Sequence, residues 1–280
     1  MEVVEVRLTQ LLLHQYFDSR EVSLFLATFP LNCPGDPHIA RWDQEPLSFH
    51  GECDLVMLHS DSFHKDGLDL HIRTTIHEWY SYIEAAALRL GGFVLQVEQS
   101  GLTLNEKVYS YDDLPIKFGE DEYSYQITLL ERDELQTKIR VQLQDHSEIF
   151  FTFYKHFLHI LVSGNTLHFA DSVGLLGEYG TGAMLARDGH VVDNMEEFAF
   201  DWQVNPAMDK QLFPVARGPQ LPLEKCRMPN VDAPARRNLR SNLALYNNAV
   251  EACSHKSGSG FDLCVEDVLA TGEVGLATAW

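Results

Sequence analysis

A mainly β chain, with an antiparallel two-sheet sandwich-like fold and a small helical module towards its C-terminal end, follows from three observations. Period-two alternation of apolar and polar residues recurs through the middle of the chain. Turn-forming pairs punctuate it at short spacing, and beyond Pro206 the apolar residues change to helical spacing. Alternation sets one face of each strand on a core and leaves the other wet, whereas a recurrence at three and four residues builds one stripe along a helix.

Residues 1–32 hold two apolar stretches, Val3 to Leu13 and Val22 to Phe29, on either side of Asp18-Ser19-Arg20-Glu21. Short apolar runs do not set a period, so they read as two strands or as a helix and a strand, and no role attaches to them. Residues 33–205 form the β-domain. Leu68, Leu70 and Ile72 alternate with Asp69, His71 and Arg73, and Ile139, Val141 and Leu143 with Lys138, Arg140, Gln142 and Gln144. Gly91-Gly92, Ser100-Gly101, Asp112-Asp113 and Ser163-Gly164-Asn165 supply turns between strands. The most apolar runs, Ile149 to Tyr154 and Phe157 to Val162, read as central strands.

Residues 206–280 form the tail. Pro214, Pro219, Pro222, Pro229 and Pro234 mark an irregular connector, because each fixes φ and removes a backbone donor. Leu239, Leu243, Tyr246, Val250 and Cys253 then recur at helical spacing, as do Phe261, Cys264, Val265, Val268 and Leu269. Two amphipathic helices linked by Ser257-Gly258-Ser259-Gly260 are expected.

The length of 280 residues admits one large domain or two smaller ones. A net charge of −20 repels phosphate backbones and anionic headgroups, which argues against nucleic acid and favours basic proteins or divalent cations as partners. No apolar run reaches the ~20 residues that cross a bilayer, so no membrane insertion is expected. The Leu11-Leu12-Leu13 patch is short and lacks a small-residue cleavage site, so it makes a poor signal peptide, and the chain reads as a segment cut from a longer product or as an incomplete gene model. The five cysteines, Cys33, Cys53, Cys226, Cys253 and Cys264, contain no Cys-x-x-Cys, which argues against zinc ribbons and thioredoxin-type chemistry.

Two stretches carry a family resemblance. Gly35-Asp36-Pro37-His38, the aromatic-acid pair Trp42-Asp43 and Phe49-His50-Gly51-Glu52-Cys53 form the first. Gly174-Leu175-Leu176-Gly177-Glu178-Tyr179, Arg187-Asp188-Gly189, Glu197-Phe198 and Trp202 form the second. Together they resemble, in order and separation, the opening and close of a von Willebrand factor type D domain over residues 33–205. Phe261 to Gly272 is similar to part of the cysteine-rich helical module (C8-like) that follows such domains, in a reduced form.

The resemblance implies a non-enzymatic extracellular or cell-surface module that acts in adhesion, assembly or matrix formation through other proteins or further domains of a longer chain. It also implies an alternative. In some relatives the bond between Asp36 and Pro37 would be cut without a protease in mild acid, with His38 placed to assist, and the product could cross-link. The plain counterpart is that Asp-Pro starts a turn into the first strand. A lipid-associated role ranks third, since large lipid-transfer proteins carry the same domain.

The resemblance assigns a calcium site to Asp43 and Glu178, with Asp188 nearby. Gly180, Gly182 and Ala183 stand where further side-chain oxygens are expected, so the set is degenerate, and no other cofactor is expected. It also implies an oxidised framework of up to two disulfides with one thiol left over. Val173 and Leu176 occupy the places of two family cysteines, so Cys33 and Cys53 pair with each other, pair with the tail, or stay reduced.

Thirteen histidines include close spacings at His156 and His159 and at His59, His64 and His71. A spacing of three puts His156 and His159 on opposite faces of a strand, which argues against joint ligation and for solvated or core histidines. The glycines from Gly174 to Gly182 lack the Lys-Ser/Thr of a phosphate loop, and Gly258-Ser259-Gly260 lacks the strand-to-helix setting of a nucleophile elbow. No enzyme is expected.

Overall fold

The computed structural model describes residues 37–42, 46–65, 67–77, 79–120, 123–144, 146–164, 166–217, 225–230 and 242–279. The stretch 1–32 and the residues Cys33, Asp36, Asp43 and Leu239 lie outside them.

The chain is mainly β, with all paired strands antiparallel. A short hairpin joins β1 (His38–Ile39) to β2 (Leu47–Ser48). A six-stranded sheet then runs in sequence order through β3 (Asp54–Ser60), β4 (Leu68–His77), β5 (Tyr80–Leu90), β6 (Phe93–Glu98), β7 (Gly101–Leu104) and β8 (Lys107–Tyr109). A five-stranded sheet follows from β9 (Ile116–Glu120) through β10 (Tyr123–Arg132), β11 (Gln136–Gln142) and β12 (Glu148–Tyr154) to β13 (Phe157–Ser163). This meander suits consecutive hairpins closed by short turns. Asp112 and Asp113 belong to a 3-10 turn with a capping box from Ser110, and not to a hairpin turn.

The two sheets share one core. Leu68, Leu70 and Ile72 of β4 and Ala86, Leu88 and Leu90 of β5 meet Ile139 and Val141 of β11, Phe151 and Phe153 of β12 and Ile160 of β13. These are the alternating apolar positions, and their removal from water is the main drive to stack the sheets. The helices α1 (Thr166–Phe169) and α2 (Met195–Asp201) follow the last strand.

The opposite face of the six-stranded sheet is not wet, contrary to the alternation rule. Asp69 and His71 of β4 are 4% and 1% exposed. The Pro-rich stretch 205–217 crosses the sheet as a strap, seating Leu212 and Phe213 on Ala85 and Ala87 of β5. The Arg73 guanidinium lies 4.2 Å over the Phe213 ring. Arg217 bonds the Thr74 carbonyl at 3.0 Å and Glu84 at 2.6 Å, and Arg187 grips Asp209 with two bonds of 2.8 and 2.9 Å. Asp54, His71, Gln203, Leu212 and Arg217 line a cavity of about 20 Å³ beneath the strap, room for one water.

On the same face Asp69 takes hydrogen bonds from His59 and Arg89. Burial alone would raise its pKa, but those two bonds and the Arg89 charge outweigh it and hold the carboxyl at about 2. His59 is raised above 6.5, chiefly by its bond to Asp69. The depressed Asp69 stabilises the fold above pH 3.8, and that stability is lost as pH falls towards 2. The raised His59 stabilises below pH 6.5, and that part fades as pH rises through its folded value. Asp69→Asn is therefore expected to remove about 2 kcal/mol at pH 5 and to flatten the acid limb of the thermal midpoint between pH 2 and 4. An acid limb as steep as in the parent would place the loss elsewhere.

Two longer helices follow the strap, α3 (Leu243–Ala252) and α4 (Ser259–Thr271), as the apolar spacing predicts. Ser259 and Gly260 are already in α4, so the linker is shorter than expected. Cys253, Cys264, Val265 and Val268 form a small core of their own. A 3-10 segment, Val274–Ala279, then packs Leu276 beside Ala270 of α4 on Trp79, Tyr80, Tyr154 and Phe157 at one end of the sandwich. Lys155 pairs with Glu273 at 2.6 Å across that contact.

Candidate functional site

The β1–β2 hairpin sets the site. His38 stands opposite Ser48, and the Phe49 N–H donates to the Pro37 carbonyl at 3.0 Å. The His38 imidazole bonds Ser48 Oγ through Nδ1 at 2.6 Å, and its Nε2 lies 3.1 Å from Asp267 Oδ1 on α4. Neither the His38 nor the Asp267 side chain reaches solvent. Burial of a carboxylate is costly unless it is paired, so this contact ties the helical module to the residue beside Pro37. Sequence reading missed Asp267 and Ser48. The available signal was an acid flanking the apolar stripe of α4, between Cys264 and Val268.

The two stretches that carry the resemblance meet in space. The Trp42 N–H donates to the Leu176 carbonyl at 3.0 Å, and its ring meets Tyr179 edge-on at 5.0 Å and Phe169 at 5.6 Å. Arg41 reaches the Gly182 carbonyl at 2.5 Å. The segment 173–176 runs beside β3, where Leu175 and Leu176 donate to Val56 and Met57 carbonyls at 3.1 Å. Gly174 permits that approach: its φ is +118°, and a Cβ there would stand 2.8 Å from the Met57 oxygen. Further on, the Trp202 indole donates to the Leu185 carbonyl at 2.9 Å beneath the Arg187 guanidinium.

Of the calcium candidates, Asp43 lies outside the described residues. Glu178 is exposed and accepts from Thr181 Oγ1 at 2.6 Å, while Asp188 is exposed and pairs with His190. Among the described residues, no group of three or more His, Cys, Asp or Glu is arranged around a metal position.

Four cysteines form two disulfides. Cys53 joins Cys226 with Cα atoms 5.2 Å apart at a sequence separation of 173, and Cys253 joins Cys264 at 5.9 Å, a separation of 11. Cys53 thus pairs with the tail, one of the three alternatives its sequence left open. The first bridge ties the stretch 225–230 to the β-domain just before β3, and the second staples α3 to α4.

The histidines are not one cluster. His156 sits in the turn between β12 and β13, so the face argument for His156 and His159 does not apply to it. Burial pushes His159 down to about 3 and His71 down to about 4, and both stay neutral at ordinary pH. His64 instead contacts His168, a residue without any sequence signal. In comparisons with protein-family models and with curated proteins, the chain matches none.

Proposed function

We propose that this chain is a non-enzymatic extracellular or cell-surface module of the von Willebrand type D class, working in adhesion, assembly or matrix formation through protein contacts. The observation that carries the reading is the junction of Trp42 with Leu176 and Tyr179, where the two family-like stretches pack on one sandwich edge. The two disulfides suit an oxidising compartment. A surface of charge −20 suits basic protein partners. The test is alkylation of freshly isolated full-length protein, with cell-surface labelling in the producing cells. Protection of Cys53, Cys226, Cys253 and Cys264 until reduction, together with surface labelling, is expected. Full reactivity of those four thiols would sink the extracellular reading.

A second reading is acid-promoted scission at Asp36-Pro37, and the buried His38–Asp267–Ser48 arrangement favours it. In that step the Asp36 carboxylate oxygen attacks its own carbonyl carbon, the bond to the Pro37 nitrogen breaks, and that nitrogen leaves with a proton. Water then opens the anhydride. His38, held by a carboxylate one residue from the bond, can carry the proton. Days near pH 5 are expected to yield two fragments meeting at Asp36-Pro37, by intact mass. An uncut chain would leave the plain scaffold.

A further inference from the structure

We propose that His64 and His168 form a binding site for a single Zn²⁺-class divalent cation, taken between the Nε2 atoms of the two rings. His64 sits in the 3-10 segment Phe63–Lys65 between β3 and β4, and His168 in α1 after β13. The fold brings their Nε2 atoms to 3.1 Å. Bonds of about 2.0–2.1 Å to both atoms would subtend about 100° at the metal, between square-planar and tetrahedral angles.

The other nitrogen of each ring is held as a metal-ligating histidine requires. His168 Nδ1 lies 2.5 Å from Ser147 Oγ, and His64 Nδ1 lies 3.2 Å from the Tyr125 hydroxyl. When both Nδ1–H groups donate to those oxygens, both Nε2 atoms present lone pairs to one point, where a cation resolves their repulsion. Without the ion, one ring changes tautomer, its hydroxyl partner turns from acceptor to donor, and Nε2–H of one ring donates to Nε2 of the other. The pair is thus set in place before the metal arrives.

Packing fixes both rings. His64 stacks on Tyr123 at 4.7 Å and 16°, and Phe63 meets His168 edge-on at 5.1 Å. His64 also holds a left-handed backbone, φ 47° and ψ 30°, a conformation that concentrates at ligand clamps. His168 is 4% exposed and His64 half-buried, so the ion enters beside His64 and keeps open positions for water or an outside ligand. Imidazole donors select Zn²⁺, Cu²⁺ or Ni²⁺ over the oxygen-seeking Ca²⁺ and Mg²⁺.

The test is calorimetric titration of ZnCl₂ into the chelator-stripped full chain, with X-ray absorption at the zinc edge. One equivalent should bind with two imidazoles in the zinc shell, and excess CaCl₂ should not displace it. His64→Asn tolerates the left-handed backbone and is expected to weaken binding at least tenfold with a cooperative thermal transition retained. A zinc shell of oxygens alone, or binding unchanged in His64→Asn but lost in His190→Gln, would mean surface capture and overturn the site. The absorption result stands even if the variant does not fold.

Discussion

Asp267→Ala is expected to destabilise the folded chain by roughly 1–3 kcal/mol, the usual cost of taking one group out of a buried hydrogen-bonded pair. The loss would be read as a lower urea midpoint at constant slope. Ser48 still satisfies Nδ1 of His38, but Nε2 loses its carboxylate in a place water does not reach. Asp267→Asn keeps the shape and an acceptor oxygen, so an intermediate loss is expected. Hydrogen exchange adds a spatial check. In Asp267→Ala, amides of β1 and α4 should open together, while those of β12 stay protected. A variant as stable as the parent would mean that the helical module does not depend on this contact. Because the pair sits one residue from Pro37, the same variant is also expected to change the rate of any acid scission.

The second large effect is expected at the Cys53–Cys226 bridge. Replacing both Cys53 and Cys226 by Ser removes a bridge spanning 173 residues. Loop-closure entropy puts its contribution at about 5 kcal/mol, and native bridges of this kind usually return 2–5 kcal/mol. The thermal midpoint should fall accordingly, and limited proteolysis should then cut within 206–217. Replacing Cys253 and Cys264 together should cost less, since their separation is only 11 residues, and should loosen α3 from α4 while the sandwich keeps its transition. Equal effects from both bridges would show that loop length is not what sets their worth.

Some of this architecture was legible from local pattern. The alternation at Leu68, Leu70 and Ile72 marks β4 because a strand turns each side chain through half a revolution, whatever lies elsewhere. The runs of β12 and β13 are apolar enough to mark strands but not their place: β13 is the edge strand of the five-stranded sheet and β12 its neighbour, so the expectation of central strands fails. Phe261, Cys264, Val265 and Val268 mark α4 by the same local logic. The polar alternates failed as a guide: Asp69 and His71 read as solvent-facing, yet His71 lies under a strap more than a hundred residues downstream and stays neutral, while bonds from His59 and Arg89 offset the burial of Asp69. The connector prolines reported only what that stretch cannot do, namely continue a helix or a ladder. They did not report that Leu212 and Phe213 would seat it on β5.

The candidate site divides in the same way. The motif around Pro37 and His38 and the run from Gly174 to Tyr179 stand out as text, because particular glycines, an acid-proline bond and aromatic residues recur in a set order. Their meeting at Trp42 depends on how β3 threads beside residues 173–176. Asp267 and His168 are ordinary polar residues of helices, and their significance comes wholly from which side chain faces them. By itself the sequence determined the strand and helix periods, the acidic surface, and the residues able to do chemistry. The tertiary structure alone decided the partners: Cys53 with Cys226, His38 with Asp267, and His64 with His168. Periodicity is a property of neighbours two to four residues apart, whereas these contacts form between residues brought together only when the two sheets, the strap and the helices bury their apolar faces at once.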